Sequence, residues 1–387
     1  MMLTSLHLFK GRYLHDVVAN VYSRLVTVGG FNTVAAQTRN RIYVTNNTTG
    51  TEDTSFHSTM GSAFNNVPIV AKSNTAGTKL YIGGNFTSYN SNTSQYLIVL
   101  NSDGSVNLTF PNKFDASVEA LYIHNDGSMV VGGNFTTFNG MSFNRLIKLT
   151  PEGYIDGSFV VGSGFDGGTR DISFDGEYYY ITGPFTTYQG ISSKGIVKLD
   201  IGGNLIQWGN FTCNFTYYNK LDGNGSLYIG GDNMTAYNGT SIAPNLTKLN
   251  TSDLSLNTTF SSNLNGPSGG VNSRVANFSI HNGYLYIGGS FTGVANQLKY
   301  YLAKISTSGV LDPTFPINAP NLNTRFATLI NNNNLIAIGG SFTDFAGSSS
   351  RDRFAVVDLD GAVQTGWNRD YYGATNEPFN VCEIEWK

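Results

Sequence analysis

Six glycine doublets and one Thr-Gly in their place, at near-constant spacing, a charged fraction of only 13%, and an abundance of Gly (45), Tyr (22) and Phe (25) predict an all-β chain, a seven-bladed β-propeller of four-stranded antiparallel blades. Charged residues are about half as frequent as in an average globular protein. Lys and Glu clothe exposed helix faces, so their scarcity argues against a helical fold. Gly, Asn, Thr and Tyr suit strands joined by tight turns. A hydrophobic fraction of 40% at a net charge of −3 can bury a core, which excludes a disordered chain.

The doublet closes a short apolar run and usually precedes Phe-Thr. The copies run from Leu-Val-Thr-Val-Gly29-Gly30 through Leu-Tyr-Ile-Gly83-Gly84-Asn-Phe86-Thr and Met-Val-Val-Gly132-Gly133-Asn-Phe135-Thr. Tyr-Tyr-Ile-Thr182-Gly183-Pro-Phe185-Thr and Leu-Tyr-Ile-Gly230-Gly231-Asp-Asn-Met234-Thr follow. Leu-Tyr-Ile-Gly288-Gly289-Ser-Phe291-Thr and Ile-Ala-Ile-Gly339-Gly340-Ser-Phe342-Thr complete the set. The second glycines stand at 30, 84, 133, 183, 231, 289 and 340, giving gaps of 54, 49, 50, 48, 58 and 51. Units of that length occupy nearly the whole chain and leave no room for a second domain.

Each unit carries four apolar segments. A first strand precedes the doublet, as in Val118–Ile123 and Val275–Ile280. The doublet run is the second, where glycine marks a bulge or a close backbone approach. After a polar turn such as Phe138-Asn-Gly140 comes a third, alternating run: Arg145-Leu-Ile-Lys-Leu149, Gly195-Ile-Val-Lys-Leu199, Tyr301-Leu-Ala-Lys-Ile305. A glycine-ended turn follows, such as Asn101–Gly104 or Asp358–Gly361. A short fourth element ends on an aromatic: Phe56, Phe110, Phe159, Trp208, Phe260, Phe315 or Trp367. Such a small sheet cannot bury both faces alone, whereas radial stacking gives it two neighbours.

The expected organisation is an N-terminal arm, residues 1–16, followed by one propeller domain, residues 17–387. Val17–Tyr22 reads as the first strand of unit one, and Phe379–Trp386 as a further first strand without a doublet. One of the two is surplus to seven complete blades. The arm holds Leu3, Leu6, Leu8 and Phe9 and reads as a plug on the first blade or an anchor for a partner subunit.

The pattern Gly-Gly-[Asn/Ser]-Phe-Thr-x-[Tyr/Phe]-Asn-Gly, then Asn-Arg-Leu-x-Lys-Leu, then Asp-Gly-Ser-x-x-x-x-Phe resembles the delta-60 β-propeller repeats. Residues 129–159 carry it best. Unit one, with Phe31 directly after Gly30, and unit five, with Asp232-Asn233 before Met234, depart from it. The resemblance implies a propeller of the kind present in bacteriophage structural proteins and bacterial surface proteins.

Catalytic signals are absent from the pattern. His7, His15, His57, His124 and His281 have no metal-ligand spacing. His124 and His281 share one repeat position at the end of the first strand and read as turn residues. Cys213 and Cys382 are too few for a disulfide framework or a zinc site and read as free thiols. Acids such as Asp103, Glu152 and Asp360 fall in the repeating turns, and Asp358-Leu-Asp360-Gly lacks the downstream acid of a calcium loop. Gly162-Ser-Gly164 reads as a loop and not a nucleophile elbow. The Asn-x-Ser/Thr triplets at Asn85, Asn134, Asn210, Asn214 and Asn277 read as repeat composition. Catalytic, cofactor and metal residues are therefore expected to be none.

The expected function is a non-enzymatic bacteriophage virion structural protein: a capsid decoration, fibre or tail component presenting a rigid disc. Its expected partners are capsid, portal or tail subunits and a host surface glycan or receptor. Singly scattered basic residues argue against nucleic acid, and the absence of a long apolar window argues against membrane insertion. The N-terminus has its basic residues after its apolar run, the reverse of a secretory signal, so a protein made in the host cytoplasm and carried in the virion is expected. The alternative is a bacterial surface adhesin or carbohydrate-binding propeller at the cell surface. A propeller hydrolase or lyase ranks third.

Overall fold

The computed structural model describes residues 14–19, 24–46, 49–107, 113–315, 320–330, 334–347, 351–367 and 371–372. It is an all-β propeller in which each unit contributes an antiparallel sheet with its first, second and third strands in spatial order. Unit one pairs Leu14–Ala19, Arg24–Gly29 and Ile42–Asn46; unit two pairs Pro68–Ser73, Lys79–Gly84 and Leu97–Asn101. Units three and four use Val118–Ile123, Met129–Gly133 and Leu146–Leu149, then Asp171–Phe174, Tyr179–Thr182 and Gly195–Leu199. Units five and six use Phe215–Leu221, Ser226–Asp232 and Leu246–Asn250, then Val275–His281, Tyr284–Gly289 and Leu302–Ser306. Unit seven uses Thr324–Ile330, Leu335–Gly340 and Phe354–Asp358.

The doublet glycines have two different jobs. In units two, three, five, six and seven the second lies opposite a bulge in the first strand of its own sheet, a place that Gly29, the first of its doublet, takes in unit one. In unit three the register jumps from Val118↔Gly133 to Ala120↔Gly132, leaving Glu119 as the extra residue. A Cβ on Gly133 would come within 2.1 Å of the Ser117 carbonyl. The first glycine faces the next unit: a Cβ on Gly83 would meet Val118 Cγ1 at 2.5 Å, and one on Gly132 would meet Thr169 Oγ1 at 2.3 Å. The doublet is thus where sheets converge; in unit four Thr182 takes the first position, and its hydroxyl accepts from Asn219 Nδ2 of unit five at 3.0 Å.

Hydrophobic cores lie between consecutive sheets and not within them. One cluster joins Ile42 and Phe56 of unit one to Leu80, Ile82 and Phe86 of unit two. Another joins Ile330, Ala337 and Val356 of unit seven to Leu25 and Tyr43 of unit one. The first strand of unit one packs against the first strands of units two and seven.

The expected fourth strand is a true strand only in unit four, at Leu205–Thr212, among the described residues. In the other units it shrinks to one bridge, for example Leu149↔Ile155 and Leu249↔Leu256. Local capping takes the chain out of the ladder. Asp53 Oδ1 accepts from Phe56 N at 3.0 Å and Asn257 Oδ1 from Phe260 N at 3.0 Å, starting the helices Thr54–Thr59 and Thr258–Asn263. The aromatic anchors still point inward, with Phe56, Phe159, Phe260, Phe315 and Trp367 buried. Trp208, held in the long strand, remains exposed. Phe110 lies outside the described residues.

The first strand of unit one begins at Leu14, inside the segment assigned to the arm, because its pairing reaches Gly29. Residues 1–13 and Phe379–Trp386 lie outside the described residues. Tyr371–Tyr372 pairs with Thr33–Val34 of unit one.

Candidate functional site

The turns after the first and third strands share one face of the molecule. On this face a repeated polar seam joins units one, four, five and six to the unit that follows. In unit four Lys198 lies directly opposite Tyr180. Lys198 Nζ donates to the Thr251 carbonyl of unit five at 2.7 Å, and the Tyr180 hydroxyl, 3.1 Å from the same oxygen, shares its single proton between it and Asp175 Oδ2 at 2.8 Å. Unit five repeats the device: Lys248, opposite Tyr228, donates to the Thr307 carbonyl at 3.1 Å and the tyrosine hydroxyl does so at 3.0 Å. In unit six Lys304 donates to the Leu359 carbonyl at 3.2 Å. Unit one makes the equivalent contact with another residue, as Arg24 donates to the Ser102 carbonyl of unit two.

Unit three departs from this scheme. Its lysine, Lys148, faces Val130 instead of a tyrosine and pairs with Asp156 of its own unit at 3.2 Å. A concave opening of about 860 Å³ lies beside it, lined by the ends of the first strands of units three to five and the turns that follow. Its wall is aromatic. Tyr122 and Phe174, both half-buried, have ring centroids 5.4 Å apart, and His124 meets them at 4.9 and 5.1 Å. His124 Nε2 lies 2.7 Å from the Tyr179 hydroxyl of unit four, a contact that crosses the seam. Burial, reinforced by the Lys148 charge, pushes the imidazole pKa down and favours its neutral form.

The rim carries carboxylates already tied into turns. Asp126 Oδ1 accepts from Ser128 N at 2.8 Å and Ser128 Oγ at 2.7 Å, which hold its pKa below the usual range. Asp175 Oδ1 accepts from the backbone of Glu177 and Tyr178 at 2.9 and 2.7 Å, and its Oδ2 from the Tyr180 hydroxyl at 2.8 Å. Glu177 is exposed at the edge.

The other residues singled out in the sequence are dispersed. Asp103 accepts from Ser105, Glu152 from Thr150, and Asp358 from the backbone of Asp360 and Ala362. His57 is buried in unit one, stacked on Tyr43 at 5.1 Å and accepting from Val44 N at 3.2 Å. Burial drives its pKa down to about 4. His281 ends its strand as expected, while the side chains of His7 and His15 and all of Cys382 lie outside the described residues. Burial raises the Cys213 thiol to about 11, far from a nucleophile's range. Asn277 is completely buried, which excludes a glycan there. Gly162 and Gly164 take positive φ in a loop. No group of three metal-ligating side chains exists among the described residues.

A structural role hidden from sequence reading belongs to the Asp or Asn that precedes the first strand in units two, three, four, six and seven. Asp115 Oδ1 accepts from Thr136 N and Thr137 N at 2.8 and 3.0 Å, and Asp166 treats Thr186 and Thr187 the same way. Asn65, Asn272 and Asn321 repeat the bond to their own Phe-Thr segments. The threonine of Phe-Thr is thereby fixed by a residue some twenty positions earlier. The remaining signal for the opening was the set of turns that follow equivalent first strands.

Residues 79–110, 124–159 and 282–315 match the family model described as "Domain of unknown function (DUF5122) beta-propeller". The chain is a β-propeller by this match and by its solved structural neighbours. It is similar to the computationally designed Ika8 protein at a TM-score of 0.51 and 10% identity, over 90% of this chain and 97% of that one. It is also similar to the WD40 β-propeller domain of Doa1, at a TM-score of 0.53 and 12% identity, over 86% and 92%. At these identities the likeness is one of fold. No curated protein matches the chain.

Proposed function

We propose that the chain is a non-enzymatic bacteriophage virion component, closed as a single seven-bladed ring, that docks on the particle by one face and meets the host surface by the other. One observation carries the non-enzymatic part: the polar side chains at repeat positions are consumed in holding the fold. The lysines bind the next unit's turn carbonyls, the turn aspartates accept from their own Ser or Thr, and the pre-strand Asp or Asn fixes Phe-Thr. A group so engaged is a poor general acid, base or nucleophile. Clusters shared by consecutive units, the pair of units seven and one included, support the closed ring. The virion assignment rests on the likeness to delta-60 repeats. A fourth blade strand reduced to one bridge is compatible with blades that hold together chiefly through their neighbours.

Mass spectrometry of purified phage particles tests the assignment. Recovery in stoichiometric amounts with capsid or tail proteins is expected. Recovery only in the bacterial envelope fraction would transfer the protein to the second reading, a surface adhesin or carbohydrate-binding propeller. That reading is favoured by the aromatic-walled opening at units three to five.

A further inference from the structure

We propose that the opening over units three to five binds an uncharged or amino-bearing oligosaccharide, with Tyr122 and Phe174 as its stacking wall. The inference deepens the host-surface part of the proposed function and rests on its reading as a binding protein and not a hydrolase. At about 860 Å³ the opening has the size of an ordinary ligand site. The two half-buried rings, 5.4 Å apart and braced by His124, offer an apolar surface of the kind that packs against the C–H face of a pyranose.

The electrostatics narrow the ligand. Asp126, Asp175 and Glu177 line the opening against one ammonium, Lys148, which lies 3.2 Å from Asp156. The surplus of negative charge disfavours phosphates, sulfates, uronates and nucleic acids. A strongly basic peptide suits the charge but not the geometry. An arginine seeks a carboxylate with both oxygens open to a fork of donors. Asp175 already accepts on both oxygens and Asp126 accepts twice on Oδ1. Sugar hydroxyls need one lone pair at a time, which Oδ2 of each aspartate retains. An amine on the sugar would add an attraction to the same rim.

Location supports the assignment independently. The Lys–Tyr device that closes the seams between units four and five and between five and six is missing between three and four. There Val130 stands where the tyrosine would be, and Lys148 turns to its own unit. The opening sits where sequence has left the seam unfilled.

The test is a glycan array carrying neutral, amino-bearing, sulfated and uronate oligosaccharides, followed by titration with the best soluble binder. Binding confined to neutral or amino-bearing glycans is expected. It should weaken about tenfold in Phe174→Ala, with the unfolding midpoint monitored in parallel. Should Phe174→Ala fail to fold, the exposed Glu177→Gln and Asn125→Ala carry the test, each expected to weaken binding several-fold. Binding to acidic glycans alone, binding indifferent to all of these variants, no binding, or capture of an arginine-rich peptide with no glycan would overturn the proposal. Chromatography of the recovered glycan separates the two readings. A shortened glycan contradicts the non-enzymatic function, whereas an intact glycan that never bound contradicts only this site.

Discussion

The seam between units five and six and the seam between units three and four are built on the same backbone and end differently. In the first, Lys248 and Tyr228 sit opposite each other and converge on one carbonyl, that of Thr307. In the second, the lysine is present but its cross-strand partner is Val130, and a cavity opens. Units one, two and seven place Val44, Val99 and Val356 at the lysine position, all buried. A lysine can be partly buried at this position where a neighbouring turn presents an acceptor. Its hydrogen bond to that carbonyl is charge-assisted, worth about 1.5–3 kcal/mol, and offsets desolvation.

The largest effect is expected from placing a lysine at a packed apolar position of the seam. Val99 is packed among Val70, Tyr81, Leu97 and Phe114. Val99→Lys should cost more than about 3 kcal/mol, because a tightly packed apolar site must take up a longer, charged side chain. Urea denaturation checks this, and a stability close to that of the parent would break the comparison.

Next in size is an acid response of unit one, where Val44 holds the lysine position and His57 accepts from its backbone N–H. The folded imidazole has a pKa of about 4 against an ordinary 6.5, so the unfolded chain binds its proton first. The stability it contributes is complete above about pH 6.5 and falls as pH drops toward 4, by up to about 3 kcal/mol. His57→Gln should flatten that part of the profile. An unchanged slope between the two proteins would show that the ring is not held neutral by the fold.

Smaller again is Tyr180→Phe. Lys198 still satisfies the Thr251 carbonyl at 2.7 Å, so only the tyrosine's one proton, shared between that oxygen and Asp175, is lost. About 0.5–1.5 kcal/mol is expected in a thermal or chemical melt. A loss as large as that of a core truncation would mean that the tyrosine, and not the lysine, carries the seam.

These seams were half visible in the sequence. The alternation Leu-x-Lys-Leu identified the third strand, and Leu-Tyr-Ile before the doublet identified the second. Their pairing across the sheet is a matter of register, and the acceptor is a backbone carbonyl that any residue supplies, as Thr251, Thr307 and Leu359 illustrate. The doublets were legible because glycine is the residue that fits where Ser117 O or Val118 Cγ1 approaches. The fourth strand was overread: the apolar pattern before Phe56 and Phe260 is equally that of a capped turn of helix, and Asp53 and Asn257 decide it. The opening was illegible because Tyr122, Phe174 and Leu221 come from three units and meet only after the sheets stack. His124 stands at the strand end where the repeat placed it, but its bond to Tyr179 joins residues 55 positions apart.

The most direct measurement compares Lys248→Met with Lys148→Met by equilibrium urea denaturation under identical conditions. The two lysines occupy the same repeat position and differ in what accepts their hydrogen bonds. Lys248→Met should lose about 1.5–3 kcal/mol, the worth of a charge-assisted bond to the next unit. Lys148→Met should lose under about 1 kcal/mol, the worth of a partly exposed pair with Asp156. Equal losses at the two positions would contradict the claim that the neighbouring turn carbonyl is what makes the lysine stabilising.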